Sequence, residues 1–210
     1  MKKNDLEIRS ISSEVRLAED SRTVSGYAML FDTESQDLGF IETIQRGALT
    51  QQQVDESDVF ALFNHNSEKV LARSRHGQGS LHLTVDDRGL YYEFDAPHTA
   101  IGDELLEHLR RGEVTQSSFA FAVDWNDKTA QDITYRDGVR RRTIHKIALL
   151  ADVSPVFRPA YSQTTCAQRA LDEFNHLEDE ERQAQELARK QEVEDKLREL
   201  EQQLNAALSK

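Results

Sequence analysis

Three polar side chains in this 210-residue chain lie beside apolar segments, where together they could attack a carbonyl group. Ser118 begins an alternating segment in which Phe119 and Phe121 point to one face and Ser118 to the other. His65 follows the compact apolar run at 59–63, and Asp152 is a lone acid in the apolar run at 147–153. A serine can attack a carbonyl when a neutral imidazole takes its proton and a carboxylate orients that imidazole. The residue types therefore suggest acyl transfer.

The strand that begins at Ser118 predicts how a substrate would reach it. Ala120 and Ala122 share the face of Ser118, so this face carries only small side chains and is expected to leave room for an extended peptide. Ser117 is the fallback nucleophile, although it should share the phenylalanine face and be buried. His145, in the last predicted strand, is the other histidine with a claim to a role. Asp152 also has a purely structural interpretation, as a capping or turn acid before Ser154.

The elements around these residues predict a mixed fold. Apolar residues recur on one helical face between 101 and 111, and Gly112 is well placed to end that helix. About eight short strands are expected, with a hairpin turn at 86–89. We therefore predict an α+β domain over residues 1–166, built on a mostly antiparallel sheet that curls into a barrel with a few flanking helices.

Residues 167–210 contain neither glycine nor proline and are rich in glutamate, glutamine, alanine, leucine and arginine. This composition, with several favourable i, i+4 charge pairs, predicts a long acidic C-terminal helix. A short heptad seam could form a coiled coil with itself or with a partner helix, and a solvated single helix is the alternative. The seam residues are Val193, Leu197, Leu200, Leu204 and Ala207.

Composition and missing motifs exclude several classes of function. The net charge of -12 argues against a general nucleic-acid-binding surface, and the basic run at 136–146, which includes Arg142, is expected to be a solvated hairpin face. The single cysteine, Cys166, excludes an internal disulfide and a cysteine-rich zinc site and indicates a reducing compartment. We find no nucleotide-binding or zinc-hydrolase motif and no apolar run long enough for a membrane span. No cofactor, metal, nucleic acid or membrane is therefore expected.

Three sequence blocks resemble the signature blocks of the prohead serine proteases of tailed bacteriophages. The blocks are Phe-Asn-His-Asn at 63–66, the segment at 109–121 that ends in Ser-Ser-Phe-Ala-Phe, and Ala-Asp-Val-Ser-Pro-Val-Phe-Arg-Pro-Ala-Tyr at 151–161. Their order and spacing match as well, and the resemblance covers residues 6–168. Carried over by position, His65 is the general base, Ser118 the nucleophile and Asp152 the orienting acid. The family more often has glutamate at the third position, so a shorter side chain must be compensated there by the backbone.

The resemblance implies a serine endopeptidase with the herpesvirus assemblin-like barrel, acting in the host cytoplasm inside the assembling procapsid. Scaffold and the major capsid protein would be its substrates, and self-cleavage is expected as well. The herpesvirus relatives use a second histidine, which makes His145 the fallback for Asp152, and they imply a homodimer. We further hypothesise that the helical tail packages the enzyme with scaffold or capsid protein and is trimmed during maturation.

Two other functions compete with this interpretation. The first is a catalytically silent capsid assembly or scaffolding protein that acts through its helical tail. The second is a different hydrolase with Cys166 as nucleophile, although this cysteine lies in a polar segment without a matching motif. The three-residue set favours the protease.

Overall fold

The computed structural model describes residues 6–11, 15–136, 138–157 and 165–208, and within these the side chains other than those at 136, 165–169 and 199–208. The described elements are thirteen strands and three helices. The strands are β1 Glu7–Ile11, β2 Arg16–Leu17, β3 Thr23–Leu30, β4 Ile41–Ile44, β5 Asp58–Leu62, β6 Val70–Arg75, β7 Gln78–Gly79, β8 Leu81–Val85, β9 Gly89–Asp95, β10 Gln116–Ala122, β11 Gln131–Arg136, β12 Val139–Ile144 and β13 Leu149–Val156. The helices are α1 Gln51–Glu56, α2 Ala100–Arg110 and α3 Thr165–Leu208.

The strands form three sheets. The first has six strands in the order β1-β10-β13-β5-β6-β7, the second has four in the order β2-β3-β9-β8, and the third has three in the order β11-β12-β4. Most pairs are antiparallel, whereas β13 with β5 and β12 with β4 are parallel. The fold is therefore α+β and mostly sheet, with a long C-terminal helix.

The expected closed barrel is wrong for the described strands. Closure would need a hydrogen-bonded ladder between the edges of neighbouring sheets, but β1 and β7 end the first sheet, and β2 and β8 end the second. The first two sheets instead pack through their apolar faces, where Phe119 and Phe121 of β10 meet Tyr92 and Phe94 of β9 in one core. Apolar alternation accounts for this packing without requiring edge-to-edge hydrogen bonds.

Helix α2 confirms the sequence prediction. The side chain of Thr99 accepts a hydrogen bond from the Gly102 backbone and begins the helix, while Leu105 and Leu106 are buried in the core. Beyond its C-terminus Gly112 adopts a positive φ of 67°, which glycine reaches without steric cost. The chain then turns directly into β10.

Four charged residues are buried together, where β1 meets the third sheet. Arg9 bonds to Glu7 at 2.6 Å and to Glu42 at 2.7 Å, and Arg142 bonds to the same two carboxylates at 2.5 and 2.9 Å. Each cation thus contacts both anions, which compensates the cost of removing four charges from water. Arg142, expected on a solvated hairpin face, is 1% exposed, so that expectation was wrong for this residue. We call these residues the charge quartet.

The charge quartet also makes stability depend on pH. Burial alone would raise the pKa of the Glu42 carboxyl, but the charges of Arg9 and Arg142 and their hydrogen bonds outweigh burial and hold this pKa below its ordinary value. A carboxyl with a lowered pKa in the folded state stabilises the protein at neutral pH. Its contribution is lost as the pH falls through the ordinary carboxyl range and below.

Among the described side chains of α3, those that pack against the domain lie in its first part. Ala170 and Phe174 are fully buried against Phe40, and Arg140 reaches Glu178 at 2.8 Å. Farther along, the large apolar residues are exposed: Leu187 by 60%, Val193 by 52% and Leu197 by 55%. The other seam residues, at 200, 204 and 207, lie outside the described side chains. Within the described chain, no helix has both the length and the apolar character needed to cross a bilayer.

We expect Arg142→Met to destabilise the protein strongly, because it leaves two buried carboxylates with Arg9 as their remaining cation. Breaking a buried ion pair costs about 3–5 kcal/mol of unfolding free energy, which urea denaturation followed by circular dichroism at pH 7 would measure. Arg141→Met is the matched control, since Arg141 is 53% exposed and pairs with Glu34 at the surface. Its loss should stay below about 1 kcal/mol. Equal losses in the two variants would contradict a structural role for the charge quartet.

Candidate active site

Strand β10 places Ser118 in the interior of the six-stranded sheet. In the ladder with β1, Ser118 lies opposite Ser10, and in the ladder with β13 it lies opposite Ser154. Phe119 and Phe121 point to the other face and fill the core, as the alternation predicted. The nucleophile candidate is thus held by neighbouring strands on both sides.

A tight turn places His65 over the sheet. Strand β5 leads into Phe63, and the backbone N–H of Asn66 donates to the Phe63 carbonyl at 3.2 Å. The two residues between them, Asn64 and His65, have φ values of 58° and 55°. A four-residue turn that is closed by such a hydrogen bond and has positive φ at both central residues is a type I′ turn. This turn favours asparagine at its first central position. The backbone N–H of Asn64 also donates to the Pro155 carbonyl at 3.1 Å, which ties this turn to β13.

A β-bulge places Asp152 and Leu150 on opposite faces of the sheet. In the ladder between β10 and β13, Asp152 lies opposite Ala120 but Leu150 lies opposite Phe121, which leaves Ala151 as an extra residue. Without it, residues 150 and 152 would share a face, as i and i+2 do along a regular strand. With the bulge, Leu150 enters the core while Asp152 shares the face of Ser118. The bulge thus lets Leu150 pack in the core while Asp152 stays on the face of Ser118 and Ser154.

These three elements bring His65 into contact with both predicted partners. Its Nε2 atom lies 2.6 Å from Ser118 Oγ, and its Nδ1 atom lies 2.6 Å from Asp152 Oδ1. The side chains of His65 and Asp152 are each 12% exposed. In this order of contacts, Nδ1–H donates to the carboxylate and Nε2 is free to accept the serine proton.

Two further groups complete the hydrogen bonds of the site. The Ser154 hydroxyl donates to Asp152 Oδ1 at 2.8 Å, and its oxygen lies 3.2 Å from His65 Nδ1. The Ser118 hydroxyl lies 2.8 Å from the Arg9 carbonyl of β1, which can accept its proton. Because a hydroxyl has one proton, Arg9 and His65 compete for it.

The Ser118 face is covered, contrary to the expectation of an open surface for a peptide. Ser118 has no exposed surface, and Ala120 and Ala122 are buried as well. The small side chains on this face of β10 leave room for other groups of the protein to approach closely. Strand β1 lies along one side of β10, and the His65 imidazole contacts Ser118 Oγ. The described conformation is therefore closed around the nucleophile candidate.

The fallback residues lie elsewhere. Ser117 faces the core, where its hydroxyl is 2.9 Å from that of Tyr92. Burial raises the pKa of Tyr92, so this phenol keeps its proton at neutral pH. His145 follows β12 and contacts Gln45 and Asp132 at the surface, not Ser118. The Cys166 side chain lies outside the described residues.

Sequence reasoning did not find Ser154 or the Arg9 carbonyl. Ser154 could have been found, because it lies two residues after Asp152 and period-two alternation puts both on one face. A backbone carbonyl carries no signal in the sequence, so its contact with Ser118 depended on the register between β1 and β10. Among the described residues, no group of three or more histidine, cysteine, aspartate or glutamate side chains is arranged to hold a metal ion.

Comparison with known proteins gives a family match and a distant structural one. The family model described as caudovirus prohead serine protease matches residues 5–178, which include His65, Ser118 and Asp152. Among solved structures, the capsid assembly protease of bacteriophage T4 is similar, with 12% sequence identity and a TM-score of 0.48, covering 75% of this chain and 100% of that one. No curated protein sequence matches the chain.

The turn that carries His65 predicts the effect of replacing its neighbour. Asn64→Ala should lower the unfolding free energy by about 1 kcal/mol, because alanine disfavours the left-handed backbone conformation that asparagine, with its short polar side chain, tolerates. Asn64→Gly should be close to neutral, since glycine adopts positive φ freely. Urea denaturation of the two variants beside the wild type would measure both. Equal effects of alanine and glycine would contradict the left-handed turn.

Proposed function

Because the chain belongs to the caudovirus prohead serine protease family, we propose that it is a serine endopeptidase of phage prohead maturation. Its proposed substrates are segments of scaffold and of the major capsid protein, together with its own chain. It would act inside the assembling procapsid in the host cytoplasm. The observation that carries the proposal is the His65 imidazole, placed between Ser118 Oγ and Asp152 Oδ1 at 2.6 Å from each.

The proposed mechanism assigns one role to each residue. His65 Nε2 takes the hydroxyl proton of Ser118 as Oγ attacks the scissile carbonyl, and the resulting imidazolium later gives this proton to the leaving amine. Asp152 accepts the hydrogen bond of Nδ1–H, keeps that proton pointed away from the serine and stabilises the imidazolium. Water then attacks the acyl-enzyme, again with His65 as the base, and releases the second product.

The closed conformation adds a requirement to this mechanism. A substrate carbonyl can reach Ser118 Oγ only after groups around it move, because Ser118 has no exposed surface. Movement of β1 would also remove the Arg9 carbonyl as a competing acceptor of the serine proton. We therefore propose that substrate binding and opening of the site are coupled steps. A protease that must not act before assembly would benefit from this coupling.

The exposed part of α3 supports a role in assembly. Its apolar residues Leu187, Val193 and Leu197 have no cover from the domain. We propose that this region binds scaffold or capsid protein, by coiled-coil pairing or docking, and is trimmed during maturation. The start of α3 belongs with the domain instead, because Phe174 is buried against Phe40.

Intact mass measurement tests the protease and its nucleophile. Wild-type protein, Ser118→Ala and Ser117→Ala would each be purified alone and after co-expression with the major capsid protein and scaffold of the same virus. We expect discrete truncations with wild type and with Ser117→Ala, and none with Ser118→Ala, because Ser117 faces the core. The fragment ends would also give the cleavage specificity. Intact chains from wild type would favour the silent assembly protein, and truncation by Ser118→Ala would exclude Ser118 as nucleophile.

Two truncations separate the two parts of α3. A chain ending at residue 181 keeps Phe174 and should retain wild-type thermal stability and cleavage, but should enter procapsids in reduced copy number. A chain ending at residue 167 also exposes Phe40 and should be less stable by about 3 kcal/mol or more, the cost of losing a buried phenylalanine. Thermal denaturation and quantification of protease in purified procapsids would measure these effects. Normal copy number with the chain ending at residue 181 would contradict the packaging role.

A further inference from the structure

Ser154 occupies a position from which it can control the other members of the site. It lies two residues after Asp152 on β13 and directly opposite Ser118 in the ladder with β10. Its side chain therefore points to the same face as both of them. Ser154 is fully buried, so its hydroxyl has no water to bond to and must find protein partners.

Both hydrogen-bond partners of this hydroxyl among the described residues belong to the site. Ser154 Oγ donates to Asp152 Oδ1 at 2.8 Å and lies 3.2 Å from His65 Nδ1. The Nδ1–H group bonds to the same Oδ1 atom at 2.6 Å. One carboxylate oxygen thus accepts two hydrogen bonds, one from the histidine and one from the serine, and the three groups close a triangle.

We infer that Ser154 is a positioning residue of the proposed protease, a role that rests on the function proposed above. An aspartate side chain can rotate about its last bond and exchange its two oxygens. The Ser154 hydroxyl holds one of them, Oδ1, against His65 Nδ1, and through it fixes the imidazole plane so that Nε2 faces Ser118. Among the described residues, the Ser154 hydroxyl bonds to Asp152 and His65 and not to Ser118, so it acts through those two residues.

This role remains the same throughout the proton transfer. When Ser118 attacks, its O–H bond breaks and the proton forms a bond with Nε2. Oγ bonds to the carbonyl carbon, and the π electrons of the carbonyl move onto its oxygen, which becomes the oxyanion. The imidazole then carries a positive charge next to Asp152. Ser154 keeps its own proton in every step and continues to donate it to the carboxylate, which therefore stays in line with Nδ1–H.

Ser117 provides a matched control on the adjacent strand. It is also fully buried, and its hydroxyl is also hydrogen-bonded, at 2.9 Å to Tyr92, but on the opposite face of the sheet. Ser117→Ala and Ser154→Ala thus remove the same atom from equally buried sites. A difference in activity between these two variants therefore comes from the position of the Ser154 hydroxyl, because both variants lose a buried hydrogen bond.

The first measurement is steady-state kinetics on a peptide that spans a cleavage site mapped from the wild-type fragments. Ser154→Ala should lower kcat by about 10- to 100-fold, the range that corresponds to one hydrogen bond to a charged group. KM should change little, since the hydroxyl does not contact substrate. Ser117→Ala should keep both parameters close to wild type. Ser154→Cys, which preserves size and offers a weaker donor, should lie between wild type and Ser154→Ala, and it replaces the alanine variant if that one does not fold.

The second measurement does not need activity. The proton NMR signal of His65 Nδ1–H would be observed in the Ser118→Ala protein, which is expected not to cleave itself. The signal is assigned by its absence from the double variant Ser118→Ala, His65→Gln. Adding Ser154→Ala should shift or broaden this signal, whereas adding Ser117→Ala should leave it unchanged. The inference is overturned if Ser154→Ala matches Ser117→Ala in kcat or leaves the Nδ1–H signal in place. If the wild type cleaves nothing, the proposed function fails, while the NMR comparison still decides whether Ser154 holds Asp152 against His65.

Discussion

The hydrogen-bonded insertion of β13 between β10 and β5 is the constraint on which the candidate site depends. It pairs antiparallel with the strand that carries Ser118 and parallel with the strand that leads to His65. Without it these two strands would have no common neighbour. The extra residue Ala151 then resolves a conflict within β13 itself, because Leu150 is needed in the core and Asp152 on the opposite face. One irregularity of the ladder therefore serves both packing and chemistry.

Arg9 links the charge quartet to Ser118. Its side chain belongs to the charge quartet, and its carbonyl oxygen lies 2.8 Å from Ser118 Oγ. The ion pairs with Glu42 therefore fix the segment of β1 whose backbone covers the serine. Because a buried ion pair is costly to break, this side of the site is held more firmly than an ordinary edge strand would be. The turn at 63–66 has two residues in a left-handed backbone, which stores strain on the other side.

The sequence predicted which three side chains contact one another better than it predicted the shape around them. Ser118, His65 and Asp152 were identified by three blocks whose order matched a known family, and residue alternation placed Ser117 on the buried face. Helix α2 was predicted correctly because its apolar residues recur with a helical period and Gly112 marks its end. Arg142 was misread because charged residues are usually solvated, and a pairing with Glu7 across 135 positions leaves no local pattern. The barrel was wrong for a similar reason: alternation defines which face of a strand is buried but not which edges bond to each other.

The order of strands in the first sheet also decides when Ser118, His65 and Asp152 can meet during synthesis of the chain. The ribosome makes β1, β5, β6, β7 and β10 before β13, yet β13 lies between β10 and β5. A nascent chain that has exposed Ser118 and His65 has no strand to join them, and it still lacks Asp152. The sheet can close only after residue 156 has left the ribosome, so a partly made chain cannot bring the three side chains together. A central strand that is made last therefore delays assembly of the candidate site until the whole sheet has been synthesised.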